Sequence, residues 1–377
     1  MSSLSANTPS RIPELDGIRG LAILMVLIWH YFSCQLHRDA GIWVSYARRL
    51  LYLTGTGVDL FFVLSGFLIV GILLDQRGSQ HALRTFYLRR ACRIFPLYFL
   101  LIILFIALDH PEWWALESYE WLFGNPMPLW AYATFNQNIL MGLRESLGAN
   151  FLAVTWSLAV EEQFYLIIPW IVLWVSRRNL AWLFLAALIC VPLLRITIAG
   201  FHAYINTPWR ADAMVAGGLL AILARSSVLI ERIRANRRWL TTGTILLLAV
   251  VPVVIVFPGC LGGWTQSWLA ATYAALILIA TSGTHPLVSE WLSHPGLLKL
   301  GQLSYGIYMF HQPASGWLHG WIRQQAPKIS DPLDAAITLL ALVLTFAVAW
   351  ISYRFFESPI LRFGHRFQYA KMAIKAP

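Results

Sequence analysis

The chain has 377 residues, of which 58% are hydrophobic and 12% charged, with a mean hydropathy of +0.62. A soluble domain carries about a quarter charged residues, so these values exclude an ordinary water-soluble fold. The net charge of +10 falls in four clusters, Arg84–Arg93, Arg177–Arg178, Arg225–Arg238 and Arg354–Lys375; the positive-inside rule accounts for them, and no nucleic-acid-binding motif accompanies them.

Apolar runs of roughly 18 to 22 residues recur along the chain. They predict an all-α, multi-pass membrane protein with about ten transmembrane helices in a single domain, residues 1–377, with both termini cytoplasmic. Residues 1–18 form a polar segment without a cleavage site after the first span, which reads as an uncleaved anchor. The predicted spans are 19–36, 57–74, 94–108, 151–175, 180–199, 209–224, 239–257, 264–281, 300–322 and 335–356. Residues 109–150 contain no clean apolar 20-mer and are predicted as an outer re-entrant segment. Residues 357–377 form a basic cytoplasmic tail. The four cysteines show neither CxxC spacing nor a metal pattern, so no metal is expected and free thiols are favoured over a Cys34–Cys260 bridge.

In the first span, Asp16, Arg19, Ile23, Val26 and His30 share one helical stripe. Arg19 lies at its mouth, and His30 lies roughly 16 Å further in. An ionisable residue at that depth suggests function, and interhelical glue is the plain alternative. Asp59 opens the second span. Arg89, Arg90 and Arg93 precede the third, with Arg90 and Arg93 on one face. Arginine forks match phosphate oxygens, and a topology-setting basic loop is the alternative.

The fourth span carries Trp156, Ser157, Glu161, Glu162 and Tyr165. Two adjacent glutamates there require at least one to face the bundle interior, unless both are wet at the outer interface. Ser157, Glu161 and Tyr165 form an i, i+4, i+8 stripe. Arg210 and Asp212 open the sixth span as an outward-facing polar site. Ser304, Tyr308 and His311 share a face of the ninth. Trp113, Trp114, Trp121 and Trp130 are either interfacial anchors or a surface for stacking sugars.

Several strings now stand in order along the chain. They are Leu15-Asp16-Gly17-Ile18-Arg19-Gly20 with the Arg-x10-His spacing to His30, and Gly57 to Ile69 around Asp59. Next come Arg89-Arg90-x-x-Arg93-Ile94-x-Pro96-x-Tyr98 and Trp156 to Tyr165. Arg210-x-Asp212-Ala213, Leu303 to Tyr308 with His311, and Glu357-x-Pro359 complete the set. Together they resemble the acyltransferase family 3 proteins, integral-membrane O-acyltransferases of bacterial surface glycans, glycolipids and antibiotics.

The resemblance implies transfer of an acyl group, usually acetyl, from cytosolic acyl-coenzyme A to a hydroxyl at the outer face of the bacterial cytoplasmic (inner) membrane. On this reading Arg19, Arg89, Arg90 and Arg93 meet the donor phosphates. His30 is general base or acyl carrier, and Glu161 or Glu162 orients it. Asp16, Asp59, Trp156, Ser157, Arg210, Asp212, Tyr308 and His311 form the supporting polar site. The expected partners are a carbohydrate or glycolipid acceptor and membrane lipid, with a homo-oligomer or polysaccharide-assembly machinery as further partners and no nucleic acid. Some family members carry an extra C-terminal esterase-like domain, which this chain is expected to lack. A transporter or flippase of a glycolipid or acyl donor is the alternative from another class.

Overall fold

The computed structural model describes residues 12–36, 41–197 and 200–369. The placement of the two termini, expected in the cytoplasm, falls on residues 1–11 and 370–377, which lie outside the described residues. Among the described residues every regular element is a helix. α1 (Pro13–Ile28) runs on into a π-helix (Trp29–Ser33), followed by α2 (Ile42–Leu50), α3 (Gly57–Asp75) and α4 (Ala82–Leu108). The stretch 109–150 holds α5 (Leu116–Phe123), α6 (Leu129–Ala133) and α7 (Gln137–Leu143). Next come α8 (Asn150–Ala153), α9 (Thr155–Trp174), α10 (Arg177–Thr197), α11 (Phe201–Ile205) and α12 (Thr207–Leu223). α13 (Ser227–Ala235), α14 (Arg237–Leu248), α15 (Val251–Val256), α16 (Thr265–Ser282) and α17 (Pro286–Leu292) follow. α18 (Pro295–Arg323), α19 (Pro332–Ser352), a second π-helix (Tyr353–Glu357) and α20 (Ser358–Gly364) complete the chain.

Among the described residues, seven helical stretches are long and apolar enough to cross a membrane, or nine if two sharply bent pairs, α11–α13 and the stretch ending in α16–α17, each count as one span. The chain is a multi-pass membrane protein. α18 is long, at 29 residues, but stands outside that count because it carries a polar buried face with Ser304, Tyr308, His311, Ser315 and His319. Such a helix is stable at depth only where neighbours cover it, and α1 and α19 pack along it.

Two boundaries differ from expectation. α1 starts at Pro13, so residues 13–18 are its first turns and Leu15, Asp16 and Ile18 are buried. α4 starts at Ala82, so Arg84–Arg93 lie on a helix and not in a loop. The buried series Phe86, Ile94, Leu97, Leu101 and Phe105 continues one apolar face through both halves of α4.

Small residues set the spacing of the bundle. A Cβ on Gly66 would meet the Met214 carbonyl oxygen at 1.9 Å, and one on Gly217 would meet that of Val63 at 1.9 Å. Only glycine allows α3 and α12 to touch backbone to backbone in this way. In the stretch 109–150 the longest helix has eight residues, about 12 Å, too short to cross alone. Its amides hold the fold together. Gln137 donates to the Thr155 carbonyl at 2.9 Å, and Asn138 accepts from the Gln163 amide at 2.9 Å. Trp114 and Trp121 pack against α18 near Gly320 and Gly316, while Trp113 and Trp130 stay exposed.

Candidate active site

The π-helix places His30 against α18. Its Nδ1 lies 3.0 Å from the Val26 carbonyl oxygen and 3.3 Å from His311 Nε2. His311 Nδ1 in turn lies 2.7 Å from the Tyr308 carbonyl oxygen. A carbonyl only accepts, so in the neutral pair each Nδ1 carries its hydrogen and donates. His311 Nε2 is then the acceptor for His30 Nδ1–H, and His30 Nε2 holds a free lone pair. A proton taken up there leaves an imidazolium whose Nδ1–H still points at His311 Nε2. The carbonyl thus fixes the tautomer of one ring, and that ring fixes the other.

The surroundings hold this pair still. His311 is fully buried. Tyr31 donates to the His311 carbonyl at 2.8 Å and meets the Thr345 hydroxyl at 2.7 Å. Gln35 donates to the His30 carbonyl at 3.2 Å and to Ser315 Oγ at 3.0 Å, while Thr338 donates to its Oε1 at 2.9 Å. π-turns of this kind widen a helix and recur at functional sites. The regular 100° stripe from Arg19 ends where this turn begins.

Below the pair lies an inner pocket of about 780 Å³, counting the solvent-open space at its mouth. It opens into a vestibule of about 2430 Å³ at the basic end of the bundle. Arg19, Leu68, Arg93 and Tyr305 line both and form the neck. Arg19 is paired to Asp16 at 2.5 Å. Arg90 and Arg93 have no hydrogen bond and no ion pair among the described residues; Arg90 rests its guanidinium over the Tyr165 ring at 5.7 Å. Arg89 turns away. It donates to the Phe367 carbonyl at 2.7 Å, lies over Tyr369, and lines neither cavity.

The stripe of Ser157, Glu161 and Tyr165 lines the inner pocket, where Ser65 Oγ and Tyr165 OH are 2.5 Å apart. Glu162 faces a different cavity between α4 and α9. Neither glutamate is a hydrogen-bond partner of His30, whose ring partner is His311. Tyr308 closes the end of the inner pocket toward the histidines. Its hydroxyl lies 2.7 Å from Ser157 Oγ and 3.0 Å from the Val154 carbonyl oxygen. Its ring lies 5.7 Å from that of His311. His30 and His311 line neither the pocket nor the vestibule.

Arg210 and Asp212 do not form one outward-facing site. Both are buried and each has its own partner. Arg210 pairs with Asp59 at 2.8 Å, among the rings of Phe62, Trp156 and Tyr204. Asp212 accepts from Arg195 at 2.7 Å and from Ser267 at 2.6 Å. Two positions apart, side chains on a helix point in different directions. None of these four charges lines the pocket or the vestibule, and they lock α3, α10 and α12 together. Breaking such a pair costs about 3–5 kcal/mol. Arg195 was not singled out from the sequence; its signal is a lone arginine closing the apolar run Leu188-Ile189-Cys190-Val191-Pro192-Leu193-Leu194. All four cysteines are free.

A family model described as an acyltransferase domain matches residues 12–354. The O-acetyltransferase OatA of Staphylococcus aureus is 27% identical over 389 residues, which cover 95% of this chain and 58% of that protein. The peptidoglycan O-acetyltransferase OatA of Listeria monocytogenes is 28% identical over 399 residues, covering 94% of this chain and 56% of that protein. The chain therefore spans a little over half the length of these curated relatives. No solved structure matches it significantly.

Proposed function

We propose a function from one premise: the chain belongs to the acyltransferase family whose domain model it matches over residues 12–354. The protein transfers an acetyl group from acetyl-coenzyme A, bound at the basic end, to a carbohydrate hydroxyl at the opposite end. The positive-inside rule puts the basic end in the cytosol, across a bacterial inner membrane. The observation that carries this reading is a deep pocket containing two arginines, Arg90 and Arg93, that make no hydrogen bond or ion pair among the described residues, and whose far end abuts a histidine pair. Both are half-buried, and their free N–H donors suit an anionic ligand such as a phosphate. The relatives' names supply acetyl as the group and a cell-wall glycan as the acceptor class.

In this mechanism the coenzyme's phosphates meet Arg93 and Arg90, and its pantetheine arm lies in the inner pocket. His30 Nε2 removes the proton from the acceptor hydroxyl. The oxygen attacks the thioester carbonyl, the C–S bond breaks, and coenzyme A leaves as a thiolate that takes a proton. The Ser157 hydroxyl, at the pocket's far end, is a donor for the developing oxyanion. His311 takes the part that a carboxylate plays in a triad: it orients the base and accepts its other N–H. Glu161 faces the pocket, away from that role.

Tyr308 stands between the donor and the outer site, so its hydroxyl latch to Ser157 protects the thioester from outside water. Tyr308→Phe is expected to raise release of free thiol from acetyl-coenzyme A in the absence of acceptor, read with a thiol reagent. Unchanged release would show that the latch does not seal the pocket. The acceptor is tested by mass spectrometry of surface glycans from deletion and complemented strains. Loss and return of acetyl groups on one glycan identify it, and identical spectra contradict a glycan acceptor.

A further inference from the structure

Glu162 is left without a role by the acetyl-transfer mechanism. It lines a cavity between α4 and α9 of about 730 Å³, counting its solvent-open space, backed by the turn at Thr134 and Phe135. Arg90 and Tyr165 line this cavity as well as the inner pocket, so they are the wall between the two.

The polar groups here are nearly all spent. Gln163 donates to the Phe135 carbonyl at 2.7 Å and to Asn138 at 2.9 Å, and accepts from Thr207. Tyr87 donates to the Leu166 carbonyl at 2.9 Å. Two groups remain. Glu162 Oε1 is buried with no hydrogen-bond partner, and Arg90 has no hydrogen bond or ion pair among the described residues. A buried carboxyl oxygen without a donor costs about 1–3 kcal/mol or more. A ligand that completes the site must therefore offer an anion and a hydrogen-bond donor together.

The rim says where such a ligand comes from. Phe95 is 37% exposed and Leu166 64% exposed. Both lie on helices long and apolar enough to span the membrane, so their exposed faces meet lipid. α9 turns further apolar side chains, Ile167 and Trp170, outward beside them. A solute reaching this cavity arrives through the bilayer, which requires an amphiphile.

We propose that the cavity between α4 and α9 binds the headgroup of a phosphoethanolamine lipid, with the phosphate on Arg90 and the ammonium on Glu162. The pairing matches each unsatisfied charge with its opposite. A glycerol headgroup offers the phosphate but only a neutral donor. A choline headgroup offers the phosphate and no N–H at all. The proposal shares Arg90 with the acyl-transfer reading: as the wall between the two cavities, its guanidinium has five N–H donors, enough to serve the coenzyme's phosphates on one side and the lipid phosphate on the other.

The test reconstitutes the full chain in vesicles with equal parts of phosphatidylethanolamine, phosphatidylglycerol and phosphatidylcholine. The protein is extracted gently and its retained lipids are measured by native mass spectrometry. Phosphatidylethanolamine is expected in about tenfold excess, the scale of one charge-assisted hydrogen bond. Glu162→Gln is expected to erase that preference. Ala91→Trp, which fills the cavity from α4, should abolish retention, as should Thr134→Trp from the opposite wall; whichever elutes as a single folded species is scored. No excess in the native protein overturns the proposal. So does equal retention by a filled variant, which would mark annular lipid only, and so does an excess that survives Glu162→Gln.

Discussion

His30→Ala is expected to lower acetyl transfer by about 10²–10⁴-fold, the contribution of a positioned general base, while the protein still inserts and elutes as a single species. The ring is held by one contact from its own helix and one from His311, so its loss breaks no core packing. His311 gives the finer test. His311→Gln keeps an oxygen that can accept from His30 Nδ1–H, whereas His311→Ala leaves that hydrogen only the Val26 carbonyl of its own helix. The glutamine variant is expected to retain more turnover than the alanine variant, with the acceptor KM little changed in either. Activity above a few per cent in His30→Ala would remove both the general-base and the acyl-histidine routes, since both use the same lone pair.

Arg93→Ala and Arg90→Ala are each expected to raise the KM for acetyl-coenzyme A by about tenfold or more, the loss of a charge-assisted hydrogen bond. The acceptor KM should move far less. Donor binding should also weaken with added salt, most at the open vestibule, where screening acts. Arg89→Ala makes the contrast sharp. Its guanidinium lies on the Phe367 carbonyl, so its effect on donor KM is expected to be much smaller. A larger effect at Arg89 than at Arg93 would place the donor phosphates against the C-terminal segment instead of the neck.

What the sequence made legible was what lies on one helix. Ser157, Glu161 and Tyr165 fall together by spacing, and together they line the inner pocket. Arg90 and Arg93, three apart, both reach that pocket, while Arg89, one step of 100° away, does not. The same step separates Glu161 from Glu162. Contacts between helices were not legible. His30 and His311 are 281 positions apart and meet only because α1 packs along α18. Arg210 and Asp212 look paired in one string, yet each finds a partner on another helix. The π-turn at His30 leaves no mark in composition. The basic first half of α4 looks like a loop in sequence, although the helix's buried face continues through it.

The most direct measurement uses the protein in sealed vesicles, sorted by orientation, with radiolabelled acetyl-coenzyme A on one side and a soluble glycan acceptor on the other. Labelled glycan is expected only when the donor is on the side of Arg19, Arg90 and Arg93, and not with His30→Ala. Labelling with the donor on the opposite side, or with His30 removed, would contradict transfer through the bundle from the arginine pocket to the histidine pair.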